Sequence, residues 1–152
     1  MIGRMLVMVI GVSVAWCGEV AALDQQDLNR LMADNACESC DLAGAQFARM
    51  RISGSDLVGS SLNGADLSGS VLFNVDLSNA DLRDADFSGA VVQTTQFSGA
   101  NLAGATLAGT VFVGADLSGA QGLSQQALNL ACDDQRANVS QVPIPFALPI
   151  CQ

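Results

Sequence analysis

Large apolar residues recur at every fifth position through the middle of the chain. From Leu42 they run through Phe47, Ile52, Leu57, Leu62, Leu67, Leu72, Leu77, Leu82, Phe87, Val92, Phe97, Leu102, Leu107, Phe112 and Leu117 without a break. Two positions earlier most units carry a small residue, such as Ala65, Ser70 or Ala80, with Met50 and Val75 as bulky exceptions. Two positions later comes Gly, Asn or Asp, except at Arg49 and Thr94. A period of five fits neither a helix nor a strand. It fits a chain that turns a corner every five residues. Gly, Asn and Asp tolerate positive φ at the third position of a type II turn, which predicts such turns at Gly44, Gly54, Gly59, Asn74, Asn79, Asp84 and their equivalents. The large and small residues then point inward, and the other three face solvent. Four sides close a square coil of about 20 residues, and coils stack as parallel strands roughly 4.8 Å apart.

Three units read Ala65-Asp66-Leu67-Ser68-Gly69, Ala80-Asp81-Leu82-Arg83-Asp84 and Ala115-Asp116-Leu117-Ser118-Gly119. They resemble the pentapeptide-repeat family, whose units read A-(D/N)-L-x-x. The resemblance covers about residues 40–121. It implies an all-β solenoid, a right-handed quadrilateral β-helix of about four coils. The flanking Asn35-Ala36-Cys37…Cys40-Asp41-Leu42 and Gly122-Leu123-Ser124…Ala131-Cys132 are similar to those of exported bacterial members.

A stacked solenoid exposes strand edges and apolar core at both ends, so it needs caps. Asp24 reads as the N-cap of a helix, with Leu23 and Leu28 as a hydrophobic staple. Leu28, Leu31 and Met32 form its apolar stripe. Ser124 repeats the logic, with Leu123 and Leu128 as staple, for a second short helix at about 125–132. The expected layout is a signal peptide at 1–22, a cap helix and Cys loop at 23–39, the β-helix at 40–121, and a C-terminal cap with an apolar tail at 122–152. In that tail, residues 142–150 (Val-Pro-Ile-Pro-Phe-Ala-Leu-Pro-Ile) must be extended, because three prolines forbid a helix and a central strand.

The signal-peptide reading rests on Arg4, an apolar run at 5–16 too short for a span of roughly 20 residues, and the small residues Val20 and Ala22 before the expected cut. An uncleaved anchor is the alternative. Lipidation at Cys17 is disfavoured because Trp16, not a small residue, precedes it. The expected location is therefore exported, periplasmic or secreted, with no stable membrane span after cleavage. Cys37, Cys40, Cys132 and Cys151 remain, and export makes disulfides the default. Of three possible pairings, position favours Cys37–Cys40 and Cys132–Cys151, one pair at each end of the repeat. A reactive dithiol at Cys37/Cys40 is the alternative, and a metal site a weaker one.

The 152 residues are 50% hydrophobic and carry a net charge of -9, which excludes a disordered acidic chain. Every basic residue is Arg; His, Lys and Tyr are absent. The usual general bases, Schiff-base lysines and imidazole ligands are thereby removed, and acidity argues against binding nucleic acid. We expect no enzyme, no cofactor and no metal.

The residues just before the large ones form four outward columns. Three are Asp41/Ser61/Asp81/Asn101, Gln46/Asp66/Asp86/Thr106 and Asp56/Asp76/Gln96/Asp116. Their acids read as solvated residues making local turn hydrogen bonds, ahead of a calcium ladder or an anionic mimic of DNA. The family's DNA-mimicking, gyrase-protecting members are cytoplasmic and longer. The fourth column is Arg51/Val71/Val91/Val111, flanked by Ser53/Phe73/Gln93/Val113. Val71, Phe73, Val91, Val111 and Val113 thus share one outward face, and a contiguous apolar patch marks a contact surface. Its occupant is the chain's own tail, a second copy in a homodimer, or an unknown protein partner. The function expected is a non-catalytic, exported, rigid interaction or structural module; the alternatives are a redox dithiol protein and the gyrase-protecting mimic.

Overall fold

The computed structural model describes residues 24–133. Residues 1–22, where a signal peptide is expected, Leu23 of the first staple, and the tail with Cys151 lie outside them. Helix α1 (Gln25–Asp34) leads into strands β1 (Arg51–Ser53), β2 (Val71–Phe73), β3 (Val91–Gln93) and β4 (Val111–Val113), followed by helix α2 (Gln125–Asn129) and strand β5 (Cys132–Asp133). The five strands form one parallel sheet in sequence order. The register Arg51↔Val71↔Val91↔Val111 repeats the expected 20-residue coil. Single parallel bridges build the other three sides: Asp41↔Ser61↔Asp81↔Asn101, Gln46↔Asp66↔Asp86↔Thr106 and Asp56↔Asp76↔Gln96↔Asp116.

All sixteen large repeat residues are buried, the most exposed being Ile52 at 8%. The small positions are buried too, including Ser55, Ser60, Ser70, Thr95 and Thr110. Four of these five hydroxyls are satisfied internally, Ser55 donating to the Asn35 side chain and Ser60, Thr95 and Thr110 to the carbonyls of Cys37, Gln93 and Phe87; the Ser70 hydroxyl has no partner among the described residues. Toward the C-terminal end the core is aromatic, with Phe97 edge-on to both Phe87 and Phe112.

The corner positions adopt the left-handed backbone. Arg49 and Thr94, the two residues that break the Gly/Asn/Asp rule, are held there as well, at φ 60° and 49°. Three sides close each corner with a bond from residue i+3 to residue i, as in Ala65 N–H to the Leu62 carbonyl and Ala80 N–H to that of Leu77. The fourth side departs from the expected type II turns. After Ile52, Leu72, Val92 and Phe112 no such bond forms, and the chain stays extended in the sheet. The inward corner residues there are Ser55, Val75, Thr95 and Ala115.

Asp24 caps α1, accepting from the amides of Gln26 and Asp27. Leu31 is buried and Leu28 packs against the core. Met32, expected in the same stripe, is 64% exposed. It sits at the rim of a recess also lined by Met50 and Ile52. Ser124 caps α2 by accepting from Ala127 N–H, and Leu128 is buried. That helix ends at Asn129 rather than near 132. The physical reason is β5: Cys132 must rejoin the sheet, donating its amide to the Thr110 carbonyl. Gly122, at φ 73°, cannot be replaced freely, because a Cβ would lie 2.5 Å from the backbone nitrogen of Ala103.

Candidate functional site

The fourth side is the only one of the four that is a continuous sheet. Its outward residues form two columns by register: Arg51, Val71, Val91, Val111 and Cys132, then Ser53, Phe73, Gln93 and Val113. The structure therefore brings all five predicted face residues onto one surface. Phe73 is 47% exposed, and Val71, Val91, Val111 and Val113 are half-buried. Arg51 stands at the foot of the strip and is exposed. Extended backbone supplies a local reason for valine at 71, 91 and 111, since β-branched residues suit strands. Strand preference extends to aromatic residues as well, and Phe73 is the large apolar side chain that this side leaves exposed.

On the other three sides the outward residue has a different task. Asp41, Asp56, Asp66, Asp76, Asp81, Asp86 and Asp116 each accept a hydrogen bond from the amide two residues on, at 2.8–3.3 Å. This is the Asx turn, which mimics a backbone turn. The Ser68 hydroxyl and amide hold the Asp66 carboxyl below the usual carboxylate range. The Arg83 guanidinium does the same for Asp81, donating at 2.6 and 2.8 Å, and Arg83 is itself raised by Asp81. The acidic columns are thus committed to the turns beneath them.

Cys37 and Cys40 are joined in a disulfide and fully buried. They are more than neighbours of the repeat. Cys37 lies five residues before Leu42, in the inward large position; Cys40 takes the inward small position and donates its amide to the Cys37 carbonyl, as other turns do. Ser39 between them has φ 55°, and Ala36 pairs with Asp56. The bridge is the first side of the solenoid, which therefore begins at Ala36 rather than near 40. Asp27 clasps it from α1: its carboxylate accepts from Asp41 N–H at 2.8 Å and pairs with Arg30, and its carbonyl lies 3.1 Å from the Cys37 sulfur. Asp27, Cys37 and Cys40 bring three metal-ligating residue types together, but sulfurs bonded to each other offer no thiolate. At the other end Cys132 is also disulfide-bonded; its expected partner, Cys151, lies outside the described residues.

Asn35 was not singled out from the sequence. It ends α1 at φ 56° and ties the helix to the first coil, donating to the Ser53 carbonyl at 2.7 Å and accepting from Ser55 at 2.6 Å. An Asn just past an amphipathic stretch is the usual left-handed helix stop, and that was the available signal.

Among the described residues no helix is long and apolar enough to cross a membrane. No curated protein matches the chain. Among solved structures it is similar to the pentapeptide repeat protein Rfr23 from the cyanobacterium Cyanothece 51142, at 22% identity over 76% of this chain and 91% of that one, with a TM-score of 0.46. A pentapeptide repeat protein from the Arabidopsis thaliana thylakoid lumen is 27% identical over 71% and 81% of the two chains, with a TM-score of 0.39. QnrB1, a plasmid-mediated fluoroquinolone resistance protein, is 19% identical over 71% and 63%, with a TM-score of 0.31. The family described as pentapeptide repeats matches in eight copies, over residues 37–69, 51–89 and 95–121. That is more than half of the chain: it belongs to the pentapeptide-repeat family and has the family's fold, the right-handed quadrilateral β-helix.

Proposed function

We propose that this protein is a rigid, non-catalytic, exported module whose fourth side is a contact surface for protein. The observation that carries this reading is the contrast between sides. On three sides most residues of the outward columns accept turn hydrogen bonds, while the fourth exposes Phe73 among four valines. A solenoid offers surfaces rather than pockets. The burial of Cys37 and Cys40 supports a structural bridge over a redox one. The turn bonds of the acidic columns support a local role over mimicry of DNA.

Two measurements test the reading. Protein recovered outside the cytoplasm should begin near Leu23 and show no free thiols before reduction. Retention in the cytoplasm with residues 1–22 intact would overturn export and revive the gyrase-protecting alternative. Val91→Asp should leave the circular dichroism spectrum unchanged but alter solubility, oligomeric state or partner binding. If none of these changes, the face is inert and the contact reading fails.

A further inference from the structure

We propose that the occupant of the fourth side is the chain's own apolar segment 142–150, lying extended over Val71, Phe73, Val91, Val111 and Val113. This rests on reading that side as a contact surface, and three observations name the occupant.

The first is where the described chain ends. α2 replaces part of a fifth coil, and β5 then returns to the fourth side, placing Cys132 in the same outward column as Val71, Val91 and Val111. The residues that follow leave the solenoid from the rung directly above the apolar strip.

The second is area. Each strand of the side is three residues long. At about 3.3 Å per residue and 4.8 Å between strands, the surface is about 10 Å wide and about 19 Å tall from β1 to β5. That is about 200 Å², against the roughly 800 Å² that each partner buries in a stable complex. A second copy or a free partner would have to bury surface beyond the strip as well. A tethered segment needs far less, because attachment gives it an effective concentration in the millimolar range.

The third is tethering and reach. Cys132 is disulfide-bonded, and Cys37 and Cys40 hold each other. Its partner is thus Cys17 or Cys151, and Cys17 falls in the segment read as a signal peptide. With Cys151, the chain beyond β5 both starts and finishes at the head of the strip. Residues 134–141 are eight residues of mostly polar chain and reach about 26 Å when extended. Residues 142–150 span about 28 Å in the polyproline conformation that their three prolines favour. Each arm exceeds the height of the side, so the polar arm runs down and the apolar arm returns over the valines. Prolines suit this arm, since it packs by side chains and needs no ladder hydrogen bonds.

The sequence provides a clean probe. The chain has one Trp, at position 16, and no Tyr. In the full chain carrying Trp16→Phe and Phe73→Trp, position 73 holds the sole tryptophan. We expect blue-shifted emission and several-fold protection from acrylamide quenching, both independent of protein concentration. Two variants should abolish the protection while circular dichroism stays unchanged. One is a chain ending at Gln141. The other keeps full length and Cys151 but carries Val142→Ser, Ile144→Ser, Phe146→Ser and Leu148→Ser. Protection that persists in the serine variant, or that rises with concentration, overturns the proposal in favour of a second copy and leaves the contact reading intact. Free quenching in the parent overturns the proposal, and with an inert Val91→Asp it removes the contact reading too.

Discussion

Three sides of the solenoid and the fourth are built from one repeat, yet their backbones differ. On the three, each corner is closed by its own hydrogen bond, and seven aspartates brace the turns. On the fourth, no corner bond forms, the strands lengthen, and the outward residues are Arg or Val. The inward layer barely registers the change: Leu72 and Leu82, on different kinds of side, are equally buried. The core therefore sets the period, and the open corners are those entered through Arg51, Val71, Val91 and Val111. Asp is not required for a closed corner, since Gln96 and Thr106 precede closed ones too. It adds a brace where the chain already turns.

The largest effects test the shared inward layer. Leu72→Ala and Leu82→Ala should each cost about 2–5 kcal/mol, the range for emptying a large core site. Urea unfolding of both variants checks this; a large cost on one kind of side alone would break the claim that the core ignores the difference. Next come the corners. Gly89→Ala meets open space but keeps φ 65°, so it isolates backbone strain and should cost about 1–2 kcal/mol. Thr94 is a β-branched residue held at φ 49° on the fourth side, and Thr94→Gly should stabilise by about 1 kcal/mol. Thermal melts separate the two signs.

Smaller effects test the outward residues. Asp76→Ala removes the bond from Ser78 N–H and should cost about 1 kcal/mol. Val91→Thr on the fourth side keeps the β-branch and should change stability by less than about 0.5 kcal/mol. The smallest effect is acid sensitivity. Asp66 and Asp81 are held below their ordinary range when folded. Their stabilisation is present above the unfolded value of about 3.9 and is lost as pH falls through the lower folded values. Unfolding midpoints measured from pH 7 down to pH 3 should drop, and Asp66→Asn with Asp81→Asn should flatten that slope.

The period of five was enough to place every large residue from Leu42 to Leu117 inside, and capping chemistry placed Asp24 and Ser124 at their helix starts. From the sequence Cys37 and Cys40 read as a flanking loop, because cysteine suggests chemistry before packing. Counting five back from Leu42 would have put Cys37 in the core. The open corners of the fourth side were not legible, because Gly54 and Asn74 carry the same turn signal as Gly59 and Asn79. Bulk at the inward corner is no guide either, since Met50 and Thr110 occupy closed corners and Ser55 and Ala115 open ones. Met32 shows the limit of a stripe on a cap. A helix lying across the end of a column has a narrow floor beneath it, and Leu28 and Leu31 already fill it.

The constant spacing from Arg51 to Val71 to Val91 to Val111 makes the length of this molecule quantised. Removing 20 residues, such as 61–80, deletes one floor and leaves both caps facing the ends they fit. Removing five residues turns the upper part a quarter revolution, swings Val91 and Val111 round to the neighbouring side, and presents α2 to the wrong edge. Growth and shrinkage of the column are thus tolerated by whole floors, and a gene encoding it can change length only in that step without losing the alignment of its one apolar wall.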